Sequence, residues 1–384
     1  MNKIMPLFIK IKKLIKKISP QLEKLLIKLR DNNKIFRSIR ISFFISPSKN
    51  IHGKKIVKSE KGLLLDLSTD NFVSYNFRPK KAKDFTIDSE TYDNSSTAII
   101  IQGSIYGIEK FVEETLLIYT KLFKNVRIIL STWKNDGNIN FLEKFKEYQN
   151  IKIIINNEIK TNHNVDLQIT STNSALAYAK ENNIEYCAKT RTDCRIYKKN
   201  SLFFLKNLLK IYPVNKEYNF LNNRIISCSV DTRKYRVYGL SDIFLFSSTN
   251  NLRKYFDETK FEDSLKKMNL KNHPSLKNDT AIINEIFLCA RYLHNNNIEL
   301  KWTLEEWWKK CSQLFCIVDA NSLDFFWYKY QWKYEQRFNN NYTSHFEQSI
   351  QFSDWINLYV NSNHKFRIDL KEKWTIKDGL FEQL

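Results

Sequence analysis

From residue 97 the chain alternates in a way that leaves few folds open. "TAIIIQGSI" reads as a buried strand, "EKFVEETLLIYTKLF" as a helix, "NVRIILSTW" as a strand and "INFLEKFKEYQ" as a helix. "IKIIINN" is again a strand, "LQITSTNSALAYAKENN" a helix and "EYCAKTRTD" a strand. The apolar runs have few polar interruptions, as strands buried on both faces do, and helices between them make right-handed crossovers. The pattern predicts a Rossmann-type α/β fold, with a mostly parallel sheet flanked by helices. A further apolar run, "YGLSDIFLFSS" at 238–248, predicts another buried strand in this sheet.

In such sheets ligands bind outside the carboxyl ends of the strands, where strand order reverses. The polar residues at those ends are therefore candidates: Gln102, Gly103 and Ser104 after the first strand, Ser131, Thr132 and Trp133 on the second, Asn156 and Asn157 on the third, and Arg191, Thr192 and Asp193 on the fourth. Lys189 and Arg195 flank the last group. One such end is ordinary turn chemistry, whereas four converging ends favour a polar site. Gly103 suits close approach of a ligand to the backbone, but neither a G-x-G-x-x-G nor a Walker pattern is present, which argues against dinucleotide and P-loop sites.

Charge narrows the partners. Lys and Arg number 62 against 41 Asp and Glu, a formal net charge of +21, which suits anionic partners. The first 40 residues carry 12 Lys or Arg against Glu23 and Asp31, with Ile4, Leu7, Phe8, Ile11, Leu14, Ile15 and Ile18 at helical spacing and a second run, Leu22, Leu25, Leu26 and Leu29, after Pro20. Two basic amphipathic helices of this kind bind an anionic membrane surface. Nucleic acid is the poorer match, because no stacking aromatics accompany the charge. The sequence contains no apolar run of about 18 residues and no signal-peptide pattern, so a cytoplasmic protein peripheral to the inner membrane is expected. The six cysteines form no C-x-x-C pair, and His163 and His273 stand alone, so zinc is not expected.

Four motifs in this order, "IIIQGSI", "IILSTW", "LQITSTNSAL" and "AKTRTD", resemble the WavE family of lipopolysaccharide-synthesis proteins over roughly residues 97–330. The resemblance implies a GT-A-like fold and a glycosyltransferase. It would move a sugar from a nucleotide-sugar donor to a lipid-linked or oligosaccharide acceptor of the lipopolysaccharide, lipooligosaccharide or capsule type. Gln102, Gly103, Ser104, Thr132, Trp133, Gln168, Thr172, Lys189, Arg191 and Arg195 are then the donor-binding candidates. Where the family carries an N-R-Q triplet, Asp166, Leu167 and Gln168 stand, with only the Gln retained. Its acidic motif is usually D-x-D, and here it is Asp193-Cys194-Arg195. A Mg or Mn ion is compatible with one carboxylate plus substrate phosphates, which makes Asp193 the metal candidate. Arg195 or Lys189 is the metal-free substitute.

Asp242 is placed near the sugar. An inverting transfer needs a carboxylate base, and Glu285 is the candidate, one or two turns into a helix capped near Asn278 or Asp279, with Asp279 a competitor. The expected organisation is membrane-binding helices over 1–45, a hairpin and linker over 46–96, a nucleotide-sugar-binding α/β domain over 97–250, and an acceptor-side region over 251–384 with an aromatic-rich helical tail. The rival from another class is a non-catalytic membrane-associated polysaccharide-assembly or glycan-binding protein.

Overall fold

A computed structural model describes Tyr92 and residues 81–84, 94–269, 283–329 and 349–361. It also gives the backbone of five short strands, Ile56–Lys58, Leu63–Asp66, Phe72–Ser74, Trp374–Lys377 and Leu380–Gln383. The amphipathic helices expected over 1–45 lie outside the described residues, as do His273, Asn278 and Asp279. The chain divides into two compact units, 1–78 and 79–384. In the first, the expected hairpin is a three-stranded antiparallel meander.

The second unit is built on a seven-stranded sheet. Its first half follows the predicted alternation: β1 (Thr97–Gln102), α1 (Glu109–Leu122), β2 (Arg127–Trp133), β3 (Ile151–Asn156), α2 (Asn164–Glu181) and β4 (Tyr186–Arg191). After β4 come β5 (Cys194–Ile196), α3 (Ser201–Ile211), β6 (Ile225–Cys228), β7 (Leu245–Ser248), α4 (Thr249–Tyr255) and α5 (Phe261–Lys267). Then follow α6 (Asn284–Asn295), α7 (Leu304–Leu314), β8 (Phe315–Val318), β9 (Phe325–Trp327) and α8 (Phe352–Val360). The order across the sheet is β8-β6-β7-β4-β1-β2-β3, and every neighbouring pair is parallel except the two made by β7. Ala98, Ile99, Ile100 and Ile101 are fully buried, because helices cover both faces of β1.

Four expectations change. Residues 140–147 form a 3-10 helix, not an α-helix, and bury Leu142 and Phe145, which a three-residue repeat aligns one above the other. The strand expected over 238–248 is only Leu245–Ser248 and runs antiparallel. Just before it, the carbonyls of Ser241 and Asp242 accept from the Ser227 hydroxyl and the Lys189 ammonium instead of a ladder partner. β3 is an edge strand, so its Ile155 is exposed and Lys152 blunts the edge. Finally, β8 pairs with β6, so the sheet continues past residue 250 and the unit has no boundary there. Trp307, Trp308 and Trp355 of the aromatic-rich part are core, the Trp355 ring N–H donating to the Phe315 carbonyl at 2.9 Å.

Strand order reverses at β1. From it the chain steps outward to β2 and β3, then crosses to β4 on its other side, so the crevice between the carboxyl ends of β1 and β4 is the switch point.

Candidate active site

Across the switch point Gln102 pairs with Arg191. The two strand ends are drawn together as the Thr192 amide donates to the Gln102 carbonyl at 3.0 Å and its hydroxyl to the Ser104 carbonyl at 2.6 Å. Gly103 has φ +127°, and a Cβ there would lie 3.1 Å from the Thr192 hydroxyl. Its freedom therefore serves the approach of β4, and not of a ligand as the sequence suggested.

On the β1–β2 side the polar groups are bonded to one another. Asp136, in the loop after β2, accepts from the Ser104 hydroxyl at 2.5 Å, the Thr132 hydroxyl at 2.7 Å, the Ile105 amide at 2.6 Å and the Tyr106 amide at 3.2 Å. A carboxylate has about four lone-pair sites, so Asp136 is filled. Ser104 and Thr132 thus tie two loops together. Gln102 donates to the Ser171 hydroxyl at 3.0 Å, Trp133 is buried at the end of β2, and Thr172 is fully buried on α2 with no partner for its hydroxyl.

The β4–β7 side is charged. Lys189 is fully buried, donates to the Asp242 carbonyl at 2.7 Å and lies over the Phe256 ring. Burial pulls its ammonium down to about 8, against the opposing attraction of Asp242. The Asp242 carboxylate accepts from Gln168 of α2 at 2.6 Å. Close to it stands Glu285, in the first turn of α6 and so nearer the helix start than the sequence suggested. Burial, with the Asp242 charge added to it, lifts the Glu285 carboxyl to about 7, while Arg236 pulls the other way. A base poised there is matched to proton transfer near neutral pH.

At the tip of β4, Arg191 grips Asp193 with two N–H groups, Nε to Oδ1 at 3.0 Å and Nη2 to Oδ2 at 3.3 Å. Trp327, brought in because β9 pairs with β5 in a two-stranded ribbon, donates its ring N–H to Asp193 Oδ2 at 2.9 Å and lies under the guanidinium. Burial alone would raise the Asp193 carboxyl, but Arg191 and these hydrogen bonds hold it below its ordinary value. The Arg191 side chain remains 34% exposed. Arg195 is a correction: it is buried against α1, bonded to Thr115, the Phe111 carbonyl and the Tyr197 hydroxyl, and cannot reach a donor.

The structure thus brings together Gln168, Lys189, Arg191, Asp193, Asp242 and Glu285. Sequence reasoning missed Asp136, whose one signal was the Asp-Gly turn pair after β2, as well as Arg236 and Trp327. No protein-family model matches the chain, and no curated protein is significantly similar to it.

Proposed function

We propose that the chain transfers a sugar from a nucleoside-diphosphate donor to an acceptor hydroxyl, as the WavE-like motifs suggest, and that the presence of a carboxylate base makes the transfer inverting. The observation that carries this reading is that a carboxylate, Glu285, and a guanidinium held in place by Asp193, Arg191, both lie within electrostatic reach of Asp242. Glu285 takes the acceptor proton as the acceptor oxygen attacks the anomeric carbon. The bond from that carbon to the diphosphate oxygen breaks, and the electron pair leaves with the diphosphate. Arg191 faces the charge that develops there, and Asp193 and Trp327 hold its fork in place before the substrate arrives. Buried Lys189 offsets the charge of Asp242.

A divalent ion at Asp193 fits poorly. Both its oxygens point at N–H groups of Arg191 and Trp327, so a cation bound there would sit against a guanidinium. Among the described residues no group of three His, Cys, Asp or Glu side chains has metal-holding geometry. No helix among the described residues is long and apolar enough to cross a membrane, and the proposed lipid-linked acceptor is reached from an anionic membrane surface through the basic N-terminal segment.

The test is turnover of UDP-, GDP-, CMP- and TDP-sugars by the purified protein and by Arg191→Lys, with and without Mn²⁺. At least one of the UDP-, GDP- and TDP-sugars should be consumed, and Arg191→Lys, which keeps the charge but loses the fork, should be about 10²-fold slower on an unchanged thermal midpoint. Binding of glycans without consumption of any donor would favour the non-catalytic glycan-binding alternative.

A further inference from the structure

The side of α3 that faces water is not the polar face expected of a surface helix. Ser201, Leu202, Leu205, Leu208 and Leu209 are turned to the core, so the helical repeat leaves Phe203, Asn207, Lys210 and Ile211 as the outward stripe. Phe203 is 43% exposed and Ile211 63%, and they stand about 12 Å apart along the helix axis. Half-buried Phe204 borders the stripe. At its first turn the Tyr92 ring lies against Phe203, with centroids 5.4 Å apart, and the Lys199 ammonium sits 6.0 Å over Tyr92. From Cys194 to Lys216 the chain holds no Asp or Glu, and it carries Lys198, Lys199, Lys206, Lys210 and Lys216. Lys198 and Lys210 are exposed. Large apolar side chains and lysines therefore share one helix face that no carboxylate interrupts.

We propose that the outer face of α3 docks on an anionic phospholipid surface, with Phe203 and Ile211 at the acyl boundary and the lysines at the phosphates. A bilayer interface offers an apolar layer beneath a negatively charged one, and lysine stems lie along apolar surface while their ammonium groups reach outward. A second copy of this chain fits the face poorly, because a two-fold contact would bring the same acid-free lysine set against itself. The proposal adds to the membrane reading of the N-terminal segment a contact made by the sheet-bearing unit itself. It stands whether or not the chain transfers a sugar.

The experiment uses the full chain with one cysteine introduced at a time, Phe203→Cys, Ile211→Cys or, as a control on the edge strand β3, the exposed Ile155→Cys. All six native cysteines are buried, so a polarity-sensitive thiol fluorophore reacts with the introduced one. With vesicles of mixed phosphatidylcholine and phosphatidylglycerol, the emission at 203 and at 211 should shift to the blue and that at 155 should not. Phosphatidylcholine alone should shift none of them. Lys198→Gln with Lys210→Gln, added to the Ile211→Cys chain, should raise the lipid concentration at half-shift by about tenfold on an unchanged thermal midpoint. Sedimentation with the vesicles while the labels at 203 and 211 stay in water would overturn the proposal and leave membrane binding to the basic N-terminal segment. An equal shift at 155 would overturn it as well, because adhesion would then have no defined face. A shift that follows protein concentration without lipid would make the face an interface between copies and not a lipid contact. With neither sedimentation nor shift, both membrane readings fall.

Discussion

The two arms of the sheet's carboxyl edge are about equally polar, and their chemistry is opposite. On the β1–β2 arm one buried carboxylate, Asp136, takes four neutral donors and fills its lone pairs. On the β4–β7 arm the Asp242 charge adds to the cost of ionising Glu285, a lysine is buried whole, and a guanidinium oriented by Asp193 is left partly exposed. The first arrangement lowers the energy of the fold. The second raises it, and such cost is tolerated where a ligand later relieves it. Polarity at a strand end therefore does not mark a site, whereas incomplete satisfaction does.

Removing the Glu285 charge should break the comparison most visibly. A carboxyl whose folded-state value is raised from 4.5 to about 7 contributes its stability in full below pH 4.5, and that stability is lost as pH rises through about 7. At pH 8 the ionised Glu285 is thus a burden on the order of 3 kcal/mol, at about 1.4 kcal/mol per pKa unit. Glu285→Gln should raise the thermal midpoint at pH 8 by several degrees, leave it nearly unchanged at pH 4, and slow transfer by about 10²–10⁴. A midpoint that falls at pH 8 would return Glu285 to the class of structural carboxylates. Wild-type transfer should itself rise as pH passes through about 7.

Asp136→Asn should do the reverse. The amide puts N–H groups where four donors already point, so stability should drop by about 1–3 kcal/mol. Transfer rate per folded molecule should hold at temperatures well below the midpoint. Lost activity on an intact fold would mean that Asp136 touches the ligand.

Much of this could be read before the structure. The β-α alternation over 97–193 was legible because strands buried on both faces write themselves as apolar runs, whereas the strand order that places the switch point between β1 and β4 came from the structure. Lys189, Arg191, Asp193, Asp242 and Glu285 were legible as polar residues near strand ends or helix starts, and Gln168 only through the WavE-like motif. Their division was not, since a hydrogen-bond partner such as Asp136 for Ser104 lies 32 residues away, and Trp327 lies 134 residues from Asp193. Arg195, two residues on from Asp193, has the same local credentials as Arg191. Only the position of α1, with Phe111 and Thr115 waiting for it, makes Arg195 structural.

Thr132 is the finest test, because its sequence position at the tip of β2 and its hydrogen bond point to different roles. Its hydroxyl donates to Asp136 at 2.7 Å and the residue is fully buried, so nothing of it is presented to a ligand. Thr132→Val keeps the shape and removes one of the four donors to Asp136. The carboxylate keeps three, which confines the cost to one hydrogen bond to a charged acceptor, about 1.5 kcal/mol and a midpoint lower by a few degrees. Donor KM should not move. The loss should also be smaller in an Asp136→Asn background than in wild type, because the two groups share one network and their effects do not add. A tenfold rise in donor KM with an unchanged midpoint would put Thr132 in contact with the donor, and the β1–β2 arm would then belong to the reaction and not to the fold alone.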